Sequence, residues 1–164
     1  MHALAPALDV CSTVARVPDR PDRQLVEDAV VAAAVAAVLS GAPSTAHALL
    51  ARIDPLEASL AAGTLLLPAE QRVSRLLPAA LVAHGALSLG WALVLAVALP
   101  RRRTVAWSLP AGLAIAALDL GIVGRRFARI RALATAPQVL DHLAYAATVG
   151  GVLSRRRARR RTAG

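Results

Sequence analysis

Three stretches of the chain carry almost no charge. Residues 79–99, AALVAHGALSLGWALVLAVAL, hold none over 21 positions. Residues 104–124 and 133–153 have the same length, and each contains a single acid, Asp119 and Asp141. Arg residues bracket all three. A helix needs about 20 apolar residues to cross a hydrocarbon layer about 30 Å thick. A soluble bundle of Ala-rich helices would carry charges at every turn on its wet face, and these runs do not. The pattern therefore predicts spanning helices over 79–99, 104–124 and 133–153.

A fourth uncharged segment, residues 29–51, is interrupted by SGAPST. Gly41 and Pro43 break or kink a helix, and Ser44 is placed to cap a second short one. The segment reads as one broken crossing, with a surface helix-turn-helix as the other reading. Beyond it, Asp54, Pro55 and Glu57 form a helix start of cap, first-position proline and third-position acid. The helix predicted over residues 55–67 is too short to cross, so it lies at the interface or folds back on the bundle. Pro68 and Pro78 punctuate the stretch between it and the next long run. The expected fold is all-α: four transmembrane helices, the first broken at Gly41–Pro43, plus the short interfacial helix. Residues 1–24 form a flexible N-terminal tail, or derive from an upstream start, and the turn-forming VPDRPDR closes them. Residues 25–154 form the membrane domain, and residues 155–164 a basic tail.

Composition strengthens this picture. The chain is 57% hydrophobic but only 2% aromatic, whereas soluble cores lean on Phe, Tyr and Trp. All 19 basic residues are Arg, with neither Lys nor Asn, as a GC-rich coding sequence produces. A net charge of +9 suggests nucleic acid, but the Arg residues lie between and after the apolar runs, which excludes a continuous basic reading face. Cys11 is alone, which rules out an intrachain disulfide. The first residues lack a basic region followed by an apolar one, so they do not read as a secretory signal.

Arg placement predicts orientation. With four crossings, Arg16, Arg20, Arg23, Arg101–Arg103 and the six tail residues share one side, making 12 against 7. The richer side is cytoplasmic, so both termini face the cytoplasm across the plasma membrane. The four Arg of RRFARIR, residues 125–131, stand on the unfavoured side.

The stretches LSGAPSTAHALL, DPLEASLAAGTLLLP, LPRRR and ALDLGIVGRRF resemble uncharacterised small multi-pass membrane proteins of high-GC actinobacteria. The resemblance runs over residues 30–155. It implies an integral membrane protein and brings no activity, cofactor or catalytic residue with it.

The polar groups inside the runs are the candidate chemistry, since an intramembrane charge costs about 2.5–3.5 kcal/mol and faces protein or water. Gln138, Asp141, His142, Tyr145 and Thr148 form one stripe at helical spacing. Ser40, Ser44 and His47 share a face of the first segment, and His84, Ser88 and Trp91 a face of the second. Up-down threading brings His47, His84, Asp119, Asp141 and His142 to one depth, roughly 6–12 Å inside the extracytoplasmic ends. This polar layer reads as packing glue, with Asp119 paired to Arg126, or as a binding site or proton relay. Metal binding is disfavoured, because no two His share a helix at i, i+4 and adjacent Asp141 and His142 diverge by about 100°. Small residues such as Gly85, Gly90, Gly112, Gly121, Ala146 and Gly150 suit close packing, within one copy or between copies. The tail residues Arg155, Arg156, Arg157, Arg159, Arg160 and Arg161 suit anionic headgroups at about 1 kcal/mol each, or serve only to fix topology. No nucleotide loop, metalloprotease helix, nucleophile elbow or Cys–His pair is present, so neither enzyme activity nor a cofactor is expected. The expected function is a structural or accessory membrane protein. The alternative is a small transporter or proton-linked carrier using Asp119, Asp141, His142 and His84.

Overall fold

The computed structural model describes residues 20–162. The expected tail up to residue 19, with Cys11, lies outside the described residues. Those described are all-helical, with no strand. In chain order the helices are α1 (Arg20–Leu39), α2 (Ala42–Ala51), α3 (Glu57–Gly63), α4 (Val73–Ala98), α5 (Thr104–Leu118), α6 (Ala128–Arg131) and α7 (Thr135–Thr162). A π-helical turn, Asp119–Val123, and a 3-10 turn, Gly124–Arg126, extend α5.

Asp22–Ala51, Val73–Ala98 and Thr104–Arg126 are each long and apolar enough to cross a membrane. Their outward side chains agree: Val38, Leu50, Leu81 and Val97 are 81%, 86%, 74% and 73% exposed. In water such a surface promotes association, whereas against lipid tails it costs nothing. α7 is 28 residues long, but its polar stripe and Arg-rich end lower its mean hydropathy, and it does not join those three.

Several boundaries depart from the sequence expectation for local reasons. The described residues are helical from Arg20, inside the expected turn, and α1 takes in Pro21. α4 begins at Val73 and takes in Pro78. The carbonyl that Pro78 leaves without a partner belongs to Ser74, which is exposed near the helix end. Glu70 anchors that end by accepting the N–H groups of Gln71 and Arg72, each at 2.9 Å, and pairing with Arg75 at 3.1 Å. These bonds, the backbone ones foremost, hold its carboxyl below the usual carboxylate range. The helix expected over 55–67 spans only Glu57–Gly63 and folds back on α4. A Cβ at Gly63 would stand 2.4 Å from the Leu76 carbonyl oxygen, so the contact is backbone to backbone. Asp54 is not the cap of α3: the helix starts two residues later than the Asp54–Pro55 signal placed it, Leu56 stands at the N-cap without a side-chain cap bond, and Asp54 accepts the Leu56 N–H at 2.8 Å in the turn before it.

α7 packs against α1, α2 and α5, and α4 packs on α1. Asp28 meets Arg156 while Ser44 meets Asp141, so the first segment runs antiparallel to α7. Gly112 lies against Ala146 and Gly150 against Ser108, so α5 is also antiparallel to α7. α1 contributes Ala29, Ala32, Ala33 and Ala36 to the core, the i, i+3, i+4, i+7 face of a helix. Alanines there let neighbouring backbones approach closely.

Candidate functional site: a capped helix break and a paired acid

The first segment breaks at Ser40–Gly41. A break exposes carbonyls at the end of one helix and N–H groups at the start of the next. Each side receives one hydrogen bond from a neighbouring helix. On the α1 side, His84 of α4 reaches the Ala37 carbonyl through Nε2 at 3.0 Å. A carbonyl only accepts, so Nε2 carries the proton. On the α2 side, Gly41 is the N-cap and has no side chain to offer, and Pro43 has no N–H. The Ser44 N–H donates to Asp141 Oδ1 of α7 at 2.9 Å. A carboxylate at a helix N-terminus also meets the positive end of the helix dipole. Ser44 does not cap α2 as its position suggested: its hydroxyl turns back to the Gly41 carbonyl at 3.2 Å.

Asp119 opens the π-helical turn, closed by the Gly124 N–H on the Asp119 carbonyl. Its carboxylate points into the bundle. Oδ2 accepts the Trp91 indole N–H at 3.1 Å and lies 3.4 Å from His142 Nε2. His142 Nδ1 sits 2.7 Å from the Gln138 carbonyl, so Nδ1 is a donor. Nε2 then meets Asp119 favourably in two forms: an imidazolium facing a carboxylate, or a neutral ring accepting from a protonated acid. Arg126, the expected partner of Asp119, makes no ion pair among the described residues. The π turn alters the register between them, which even 3.6-residue spacing does not anticipate.

The rest of the stripe is internal. Tyr145 donates its hydroxyl to the Ser88 carbonyl, and Thr148 donates to Ala144 at 2.7 Å. His47 is exposed and makes no hydrogen bond among the described residues. The expected layer thus resolves into two groups, His84 and Asp141 at the break, and Trp91, Asp119 and His142 beside it. No three potential metal ligands come together among the described residues.

Three further contacts are not evident from the spacing. Asp28, only 6% exposed, receives Arg156 and, at 2.7 Å, Arg160. Their i, i+4 spacing on a continuing helix was the available signal. Arg157 closes the end of α4, donating to Ala96 and Leu99 carbonyls at 2.7 and 3.3 Å. Burial pulls its guanidinium below the ordinary arginine value, and Arg101 adds to the shift. Glu57 grips Arg129 in a two-pronged pair at 2.6 and 2.8 Å, which keeps Arg129 more firmly protonated. One of the four Arg of residues 125–131 thereby has its counter-ion.

Fold and site together define an all-helical chain, among the described residues, whose apolar helices are compatible with a membrane. The chain matches no family model, no curated protein and no solved structure.

Proposed function

We propose that this is a four-span plasma-membrane protein of structural or accessory kind, with both termini cytoplasmic and no enzymatic activity, whose polar layer fixes a broken helix in place. The observation that carries this reading is the capping of both sides of the break, by His84 and by Asp141. It is supported by the absence, among the described residues, of any buried side-chain nitrogen or oxygen without a partner. α7 is the fourth crossing, its inward stripe offset by these bonds. The bilayer is the partner, and nucleic acid is not. Arg155, Arg159 and Arg161 remain exposed for anionic headgroups, while Arg156, Arg157 and Arg160 bind within the chain. Gly112, Ala146 and Gly150 are occupied by the α5–α7 contact, leaving Gly85 and Gly90, which face open space, for pairing of copies.

A proton-linked carrier is the second reading, favoured by the approach of His142 Nε2 to Asp119 Oδ2 at 3.4 Å. Infrared titration of the carboxyl bands in lipid separates the two. The structural reading predicts no change attributable to Asp119 or Asp141 between about pH 5 and 8. It also predicts that Asp141→Ala lowers unfolding stability by roughly 0.5–2 kcal/mol, as for a lost cap. A carboxyl band that titrates in that window and disappears in Asp119→Asn would establish the carrier instead.

A further inference from the structure

A cleft of about 590 Å³ opens between the end of α5, α6 and the start of α7. Its walls include Leu113, Ala117, Leu120 and Val139, and Arg125 and Arg131 lie on its lining. Leu113 and Arg125 are 12 positions apart, roughly 18 Å along a helix. One leaflet of hydrocarbon is about 15 Å thick. The apolar wall thus matches the depth of an acyl chain, and the Arg pair falls where that chain's headgroup would stand. Both Arg are exposed, and neither makes an ion pair among the described residues. Positive charge retained on the side where Arg is disfavoured is otherwise without a counter-charge.

We infer that this cleft is a binding site for one anionic phospholipid, its chain along α5 and its phosphate on Arg125 and Arg131. The inference rests on the membrane reading above. It is distinct from any headgroup contact of the C-terminal Arg residues, which lie at the opposite end of α7. The phosphate takes charge-assisted hydrogen bonds from two guanidinium groups, and the acyl chain lies against the apolar wall of Leu113, Ala117 and Leu120.

The test is native mass spectrometry of the full chain released from nanodiscs holding phosphatidylglycerol and phosphatidylcholine. The wild type should retain one phosphatidylglycerol in preference. Arg125→Gln with Arg131→Gln should reduce that retention roughly tenfold to thirtyfold, the loss of two headgroup contacts, and leave phosphatidylcholine unchanged. Ala117→Trp, which fills the cleft and keeps both charges, should also displace the lipid. Glycerol phosphate added in solution should not compete. Undiminished retention in the Arg double variant would overturn the site, as would loss only with Arg155→Gln and Arg159→Gln. Displacement by glycerol phosphate would mark a site for free phosphate and overturn the lipid. A chain that stays monodisperse without detergent would overturn the membrane reading itself.

Discussion

Asp119 stands in an apolar run because the bundle supplies it with polar partners. The Trp91 indole N–H and His142 Nε2 both converge on Oδ2, and a low-dielectric setting strengthens such contacts. The partners make a graded prediction. Asp119→Asn keeps an acceptor for Trp91 and should cost under about 1 kcal/mol, one net hydrogen bond at most. Asp119→Leu strands the indole N–H and the ring nitrogen and should cost about 1–3 kcal/mol. Thermal unfolding of the purified chain in detergent measures both, and equal losses would remove Asp119 from the account. The sequence made Asp119 and the α7 stripe legible through helical spacing and through the rarity of charge in such runs. It also placed His84 and Trp91 on one face. It did not reveal that the Asp119 turn is π-helical, because an i→i+5 bond leaves no mark on periodicity.

Elements pack here by small residues more than by bulk. A Cβ at Gly112 would come within 2.7 Å of the Ala146 Cβ and 3.0 Å of the His142 carbonyl oxygen. Gly112→Leu must therefore push α5 from α7, at about 1–3 kcal/mol for overpacking. Gly151→Leu, with nothing within 4 Å, should leave stability unchanged. The contrast is read by thermal unfolding, and a Gly151 variant as damaged as the Gly112 variant would contradict the packing described. Element existence was legible wherever apolar runs were long. Ends were less so. Pro21 and Pro78 look like stops in a sequence, yet each falls within a helix, Pro78 near an exposed end. The break at Gly41 was legible from Gly and Pro. Its caps were not, because Asp141 and His84 reach it from distant parts of the chain.

At the scale of the molecule, Arg has two uses. Some Arg close the bundle: Arg156 and Arg160 tie α7 to Asp28, Arg157 ends α4, and Arg129 ties α6 to Glu57. Others among the described residues, such as Arg101–Arg103, Arg125 and Arg131, lie exposed near helix ends and bear on threading. Counting all of them equally, as a sequence requires, hides that division. The central claim is that α7 crosses, which makes the polar stripe intramembrane and the fold four-span. Paired topology reporters test it most directly, one inserted in the Arg125–Ala132 loop and one fused after Gly164, each read on both sides of the membrane. The account predicts opposite sides, with the loop external and the C-terminus cytoplasmic. Both reporters on the same side would show that α7 does not cross and would contradict the account.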